Sequence, residues 1–407
     1  MTILSRIRSL PFHERLRQLE QRHVRQVMAW LMRGLIFAFL IAQIRPAPPH
    51  APLQPQQTVS TQLPRLCVHT RLIDEVDEWK IQRSLQMVRE MGAPAIVEFF
   101  PWAYIEAQEG RFDWTQADRI VRHARNQGIR IIARLGLVPA WAQRDISDDA
   151  RQRTTLNTLP EASFPAFARY ASALAERYTG TIDHLIIWNE PNLAFEWGYS
   201  EVDPSSYVRL LEMVYPQVHA VNPSVVVLAG ALAPTLEPEG SPAGLNDIVY
   251  LQQMYEAGAA DYFDGLAVHT YGFQHPADAA PADDQLNFRR AELLRSVMEA
   301  YGDTVKPIFI TETGWNDHPR WSHAVSPAER IAFTLDAIRM AHEDWDWLET
   351  LCLWVFRYPA PTLSYPDNFT LVTTDFIARP LYRAIQAYAA GQTADELGWL
   401  PDPAGAP

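Results

Sequence analysis

From residue 64 onward, short apolar runs alternate with longer segments in which apolar residues recur at helical spacing. The runs predict strands at 65–70, 95–100, 129–135, 183–189, 225–230, 264–270, 307–312 and 349–356. The longer segments predict helices at 78–91, 115–127, 163–178, 204–221, 244–257, 285–301, 327–342 and 380–390. Eight successive βα units favour a closed (β/α)8 TIM barrel over an open, doubly wound sheet.

Several of the predicted helix ends carry capping residues. Gly92, Gly128 and Gly258 directly follow predicted helices, where glycine readily takes the left-handed conformation of a helix terminus. Asp203 and Ser326 each precede a proline, which predicts an N-cap followed by proline in the first turn. The first predicted strand is not followed by the glycine-rich turn of a dinucleotide site. We therefore expect no nucleotide cofactor.

The first 45 residues differ from the rest in composition. Residues 34–44 form an uncharged apolar run, which reaches 18 residues when it is extended back to Val27 with only Arg33 inside. Such a run is near the lower limit for a transmembrane helix, and its arginine-rich flank would stay in the cytoplasm. We expect either a membrane anchor or a signal segment cleaved near Ala42, with the remaining chain outside the cytoplasm. The alternative is a poorly ordered arm on a cytosolic protein.

These features predict four regions: a basic segment at 1–45, a proline-rich linker at 46–63, the barrel at 64–390 and a tail at 391–407. The first region carries eight arginines against two glutamates, or +6, so the total charge of −13 leaves −19 for the rest. A body this acidic repels polyphosphates, so we expect no nucleic-acid partner. The sequence predicts no oligomeric state.

Cys67 and Cys352 are the two cysteines, and their spacing matches no zinc-binding pattern, so we expect no metal. They lie two residues before His69 and Trp354, near the ends of the first and last predicted strands. The two-residue alternation of a strand places both thiols on the inner side of the barrel. We expect them to be buried and reduced, because adjacent parallel strands rarely offer disulfide geometry.

Two glutamates close predicted strands at the end where a barrel builds its active site. Glu190 ends the fourth strand and Glu312 ends the seventh. A carboxylate there is costly unless it faces a polar pocket. Two facing carboxylates, one protonated and one ionised, are what acetal hydrolysis requires. His269 and Tyr271, at the end of the sixth strand, are placed to donate hydrogen bonds to the ionised one.

The motif W-N-E-P at 188–191 and the motif T-E-T-G-W at 311–315 together resemble the clan A retaining glycoside hydrolases. The similarity is greatest to family 39-like and family 5-like members and spans roughly 64–390. It includes E-G-R-F-D-W at 109–114 and the run L-V-T-T-D-F-I-A-R-P-L-Y at 371–382. The resemblance implies cleavage of an oligo- or polysaccharide by double displacement through a glycosyl-enzyme intermediate.

Carried onto this sequence, the resemblance implies that Glu190 is the acid/base and Glu312 the nucleophile. It also implies that Asn189 holds the sugar 2-hydroxyl, that Tyr271 donates to the nucleophile, and that His269 lines the subsite of the cleaved sugar. The remaining substrate-contact candidates are Trp354 in the same subsite, Trp141 as a second aromatic platform, His69 and Arg134.

Arg134 is a candidate because the chain departs from the clan pattern. Many members place a basic residue near the end of the second strand, whereas this chain has Glu98-Phe99-Phe100 there. We expect Arg134 on the third strand to take that role. His69 is open between a sugar contact and a purely structural histidine, and Glu98 is the next carboxylate to test if Glu312 is not the nucleophile.

Three other functions fit a barrel of this kind. A metal-dependent amidohydrolase needs two histidines around one residue on the first strand, and this chain has Cys67-Val68-His69 there. A surface-anchored carbohydrate-binding pseudoenzyme would keep the cleft without turnover, although both glutamates are present. A transglycosylase uses the same residues as a hydrolase. The sequence predicts neither the sugar nor the choice between endo and exo action.

Overall fold

The computed structural model describes residue 11, residues 23–37, residue 53, and residues 55–143 and 155–392. The chain divides into two compact units, Met1–Ala51 and Pro52–Pro407. In the first unit, residues 23–37 are helical with exposed side chains. No helix of the described residues has both the length and the apolar character that a membrane span requires. The rest of the predicted anchor or signal segment, with the site near Ala42, lies outside the described residues, as do most of the tail and the first part of the linker.

Eight parallel strands form a closed barrel in which each strand pairs with the next and the last pairs with the first. The strands are β1 Leu66–His69, β2 Ala95–Pro101, β3 Arg130–Gly136, β4 Ile182–Ile187, β5 Val226–Leu232, β6 Gly265–His269, β7 Ile308–Thr313 and β8 Leu348–Leu353. All eight predicted strands are confirmed. The largest difference is at β8, which ends at Leu353 instead of residue 356.

Eight long helices alternate with these strands, as predicted, and a four-residue helix, Trp102–Ile105, directly follows β2. They are α1 Glu78–Met91, α2 Thr115–Gln127, α3 Phe164–Arg177, α4 Pro204–Val221, α5 Asp247–Glu256, α6 Arg290–Ala300, α7 Pro327–Glu343 and α8 Pro380–Ala389. Gly92 and Gly128 end α1 and α2 with positive φ angles of 92° and 70°. Ser326 starts α7 with a reciprocal capping box to Glu329. Two predicted helix starts are too early, since Asn246 caps α5 and α6 begins only at Arg290.

The apolar residues form two layers. The larger one lies between the outer side of the barrel and the helices, and it includes most of the buried leucine, isoleucine and valine residues. A smaller cluster fills the barrel interior and contains Val97, Ile132, Leu228 and Phe309. Because this interior is packed with side chains, the polar chemistry is confined to the strand ends.

Cys67 and Cys352 form a disulfide within this inner cluster. The two residues are directly paired in the register of β1 and β8, with their Cα atoms 4.1 Å apart, and both are fully buried. The predicted burial inside the barrel is confirmed, whereas the prediction that the thiols are reduced is wrong. Neighbouring parallel strands in general rarely offer disulfide geometry. Here the cysteines share one level of the barrel and point to the same side, which brings the sulfurs together.

Candidate active site

The carboxyl ends of the strands surround a cavity of about 430 Å³. It is lined by Arg71, Arg134, Asn189, Glu190, Glu196, Tyr271, Phe273, Glu312, Trp321, Trp354, Tyr358, Tyr365, Pro366 and Phe369. The cavity therefore brings together six of the nine residues that the sequence singled out, from five different strands or the loops that follow them.

A tight turn after β4 positions Glu190. Trp188 and Glu190 have positive φ angles of 78° and 46°, a conformation that non-glycine residues rarely adopt and that is common at functional sites. The backbone N–H of Glu190 donates to the carbonyl of Ala231 at 3.0 Å, which ties the turn to β5. The side chain of Asn192 bonds both backbone groups of Ala233 and holds the next part of the loop. Both contacts fix the place at which the Glu190 carboxyl enters the cavity.

Burial raises the pKa of Glu190 to about 7, although the positive charge of Arg134 opposes this. The Nδ1 atom of His269 lies 2.7 Å from Oε1 of Glu190. Burial also lowers the pKa of His269 to about 4, so its imidazole is neutral near pH 7. A neutral imidazole nitrogen accepts or donates according to the tautomer. His269 can therefore pair with Glu190 in its protonated form and in its ionised form.

Glu312, near the end of β7, is held by a hydroxyl donor. Tyr271 donates its O–H to Oε2 of Glu312 at 2.7 Å. Burial raises the pKa of Glu312, while His269, Arg134 and this hydrogen bond act against the rise. One carboxyl oxygen of Glu190 and one of Glu312 lie within 4.8 Å of each other, so the two groups do not readily ionise together. The hydroxyl donor favours the negative charge on Glu312 and the proton on Glu190.

His69 lies beneath these groups and is not among the described residues that line the cavity. Its ring is completely buried, which lowers its pKa well below the usual value, and Nδ1 bonds the carbonyl of Thr70 at 3.1 Å. In the neutral ring Nδ1 must then carry the proton, because a carbonyl only accepts. The opposite nitrogen lies 3.6 Å from Oε1 of Glu312, and the ring packs edge-on against Trp354 at 4.6 Å. His69 thus packs against Trp354, and its Nε2 atom has no hydrogen-bond partner among the described residues.

Trp141 lies away from the cavity. Its indole N–H donates to the backbone carbonyl of Glu106 at 2.7 Å, and its ring packs edge-on against Trp102. Trp141 does not belong to the described cavity lining. Trp354, the other predicted platform, does belong to it. A second exposed aromatic surface comes from Trp321, which stacks on Tyr365 with ring centroids 5.3 Å apart.

Arg134 and Glu98 explain the departure from the clan pattern on the second strand. Glu98 is completely buried and accepts from the Thr70 hydroxyl at 2.5 Å and from the backbone N–H groups of Leu72 and Ile73. It therefore holds the loop after β1 and is not available to substrate. The Arg134 guanidinium lies 4.4 Å over the ring of Phe99 and lines the cavity, which is where we expected a basic residue.

Glu196 lines the cavity beside Glu190 and is not among the site residues predicted from the sequence. It follows Glu190 by six residues in the same loop, between Phe195 and Trp197. An acidic residue between two large aromatics close behind a candidate catalytic glutamate was the available signal.

Glu190, His269 and Glu312 offer ligand atoms within 4.8 Å of one another, and they are the one metal-compatible group among the described residues. Nδ1 of His269 and one oxygen of each carboxyl group already take part in the His269–Glu190 and Tyr271–Glu312 hydrogen bonds.

Comparison with protein families gives two matches along the barrel. A family model described as the glycosyl hydrolase catalytic core matches residues 152–361, and one described as β-galactosidase matches residues 73–225. No curated protein matches the sequence.

Solved structures share the fold at low sequence identity. A family 39 glycoside hydrolase from the gut symbiont Bacteroides cellulosilyticus is 21% identical with a TM-score of 0.63, over 82% of this chain and 65% of that one. A family 39 β-xylosidase from Caulobacter crescentus is 19% identical with a TM-score of 0.57, over 83% and 73%. A family 5, subfamily 18 enzyme from Streptomyces cattleya in complex with GlcNAc is 18% identical with a TM-score of 0.57, over 82% and 80%. This chain thus spans just under two thirds of the Bacteroides structure.

Proposed function

The chain belongs to the glycosyl hydrolase catalytic core family, and we propose that it is a retaining glycosidase that cleaves an O-glycosidic bond of an oligo- or polysaccharide. The observation that carries the proposal is the approach of the Glu190 and Glu312 carboxyl oxygens to within 4.8 Å. Retaining enzymes hold their two carboxyl groups about 5–5.5 Å apart, whereas inverting enzymes need about 6.5–9.5 Å to admit a water. The 4.8 Å here bounds the closest pair of oxygens, one from each carboxyl group, and this close approach supports the shorter, retaining separation.

In the first step, the carboxylate of Glu312 attacks the anomeric carbon while Glu190 gives its proton to the glycosidic oxygen. The bond between that oxygen and the anomeric carbon breaks, the alcohol leaves, and the sugar is held as an ester of Glu312. In the second step, ionised Glu190 takes a proton from water, whose oxygen attacks the same carbon. Glu312 leaves as a carboxylate, and two inversions restore the original configuration.

The surrounding residues support each charge in turn. The Tyr271 hydroxyl stabilises Glu312 whenever it is a carboxylate, both before attack and on departure. His269 pairs with Glu190 in either protonation state. We assign Asn189 to the sugar hydroxyl next to the anomeric carbon and the Trp354 indole to the apolar face of the ring, since both line the cavity.

We also propose that the barrel acts outside the cytoplasm, anchored by its N-terminal segment or released after cleavage. The arginine-rich segment before the apolar run supports this orientation. The Cys67–Cys352 disulfide supports it independently, because disulfides persist mainly in oxidising compartments.

The test is hydrolysis of a panel of para-nitrophenyl glycosides and polysaccharides, with the anomeric form of the first product followed by proton NMR. We expect retention, and we expect Glu312→Gln to lower activity by orders of magnitude while Glu212→Gln, on the exposed side of α4, does not. Transfer of the sugar to added methanol would show how far transglycosylation competes with hydrolysis. A product of inverted configuration would refute the retaining assignment, and binding without any turnover would favour the pseudoenzyme.

A further inference from the structure

A smaller pocket of about 160 Å³ adjoins the active-site cavity at the ends of β3 and β4. It is lined by Phe99, Arg134, Leu135, Gly136, Leu137, Asn157, Trp188, Asn189 and Glu196. Arg134, Asn189 and Glu196 line both spaces, so the pocket and the cavity share a polar wall. The volume is about tenfold larger than the ~10–15 Å³ that one water requires, so the pocket can take a larger group.

The Glu196 carboxyl is held firmly in this wall. The side-chain amide of Asn157 donates to its Oε2 atom at 3.1 Å, and Asn189 also hydrogen-bonds the carboxyl group. The indole N–H of buried Trp188 donates to the backbone carbonyl of Glu196 at 3.0 Å, which fixes the main chain. Burial raises the pKa of Glu196 to about 7, and the charge of Glu190 acts in the same direction. Glu196 thus offers preorganised oxygen atoms beside the acid/base.

The wall also has polar atoms that lack partners. Arg134 is fixed over Phe99, but its buried Nε has no hydrogen-bond partner among the described residues. The same holds for Oδ1 of Asn189. Buried polar atoms almost always find a protein, water or ligand partner. The pocket therefore combines one cation, one carboxyl group and two amides with hydrogen-bonding capacity to spare.

This combination selects for a neutral group with several hydroxyls. A carboxylate or sulfate in the pocket would lie beside the Glu196 carboxyl group, with the carboxyl groups of Glu190 and Glu312 in the adjoining cavity. An ammonium group on the substrate would be repelled by the positive charge of the Arg134 guanidinium. A hydroxyl can donate to Glu196 and accept from Arg134, and the Phe99 ring offers an apolar face for C–H groups.

We propose that this side pocket binds a neutral, hydroxyl-rich part of the substrate and that Glu196 is its specificity-determining residue. The inference rests on the proposed glycosidase function and adds the substrate class to it. Glu196→Gln keeps the shape of the side chain and removes its charge, whereas Glu196→Ala removes both. Exposed Glu212 is a matched control for the loss of one carboxylate.

The experiment compares the full-length wild type with Glu196→Gln, Glu196→Ala and Glu212→Gln on para-nitrophenyl glycosides of neutral sugars, of glucuronic acid and of glucosamine. We expect a neutral glycoside to be preferred. On it, Glu196→Gln should lower kcat/KM about tenfold and Glu196→Ala up to about a hundredfold, as expected for one or two hydrogen bonds to a charged group. On deoxy analogues that lack the recognised hydroxyl, the loss should shrink to about threefold or less. Melting temperatures within a few degrees of wild type would show that the variants are folded.

Preference for the glucuronide or glucosaminide would overturn the inference and leave the proposed function standing. So would kcat/KM values for both Glu196 variants within about twofold of wild type. If the wild type hydrolyses no glycoside, the proposed function fails, and binding decides the inference by itself. Saturation-transfer NMR with xylose, glucose, galactose and mannose would then show contacts that Glu196→Gln weakens, and no binding of any of the four would overturn the pocket assignment.

Discussion

The hydroxyl of Tyr271 is the one described side-chain hydrogen-bond donor within 3 Å of Glu312, so its removal tests the charge assignment in the active site. Tyr271→Phe deletes one oxygen and keeps the ring, which packs edge-on against Phe369 at a centroid distance of 5.5 Å. The fold should therefore be preserved. The change leaves the negative form of Glu312 without the hydrogen bond that supports it.

The size of the effect follows from the type of bond. A hydrogen bond to a charged group contributes about 1.5–3 kcal/mol, which corresponds to a loss of about 10- to 150-fold in rate if it is fully used. Without the donor the ionised form of Glu312 is disfavoured, so its pKa rises further. The acidic limb of the kcat/KM profile should therefore move to higher pH.

The measurement is a pair of pH–rate profiles for wild type and Tyr271→Phe on the best para-nitrophenyl glycoside, with thermal melting as a check of folding. Tyr104→Phe is a suitable control, because Tyr104 is exposed and lies outside the described cavity lining. An acidic limb that stays in place, together with kcat within twofold of wild type, would show that Tyr271 does not stabilise an ionised Glu312. The nucleophile would then need to be reassigned.

Three further predictions follow from the structure. Glu190→Ala should retain activity only on substrates with activated leaving groups and should be rescued by azide. It should also lose the alkaline limb near pH 7 that deprotonation of Glu190 causes in the wild type. An unchanged pH profile would contradict the acid/base role. Replacing Cys67 and Cys352 by alanine should lower the free energy of unfolding by about 2–5 kcal/mol in urea titrations, because the disulfide closes a loop of 285 residues; equal midpoints would count against the cross-link. Protease added to intact cells should release or digest the barrel, and full protection would contradict export.

The fold was predictable because each strand is a short, continuous apolar run between two helices with recognisable caps. Parallel strands that are buried on both sides have this pattern, and glycine or proline marks several of the helix ends. The two glutamates were predictable for a related reason. A carboxylate that directly ends such a run must lie at the polar end of the barrel, because the interior is packed with apolar side chains.

The errors concern side-chain directions and long-range register. The disulfide depends on Cys67 and Cys352 lying at one level, and that register between the first and last strands is set by closure of the whole barrel. The position of Trp141 in a βα loop did not reveal that its indole N–H is already bonded to the Glu106 carbonyl. The position of Glu196 depends on the turn with positive φ angles at Trp188 and Glu190, which sequence periodicity does not predict.

Local hydrogen-bond donors, and not the nearest cation, decide which carboxyl group of the active site is ionised. Arg134 lowers the pKa of Glu190, Glu196 and Glu312 alike, so it cannot decide which one is ionised. Burial raises the pKa of all three groups, so it does not distinguish them either. The groups differ in their hydrogen bonds, because Glu312 receives the Tyr271 hydroxyl, while Glu190 faces a neutral imidazole. The Tyr271 hydroxyl can only donate to a carboxylate, so it stabilises the negative charge of Glu312. The His269 imidazole can accept a hydrogen bond, so it allows Glu190 to keep its proton. We therefore propose the glutamate beside the tyrosine as the nucleophile and the glutamate beside the histidine as the acid.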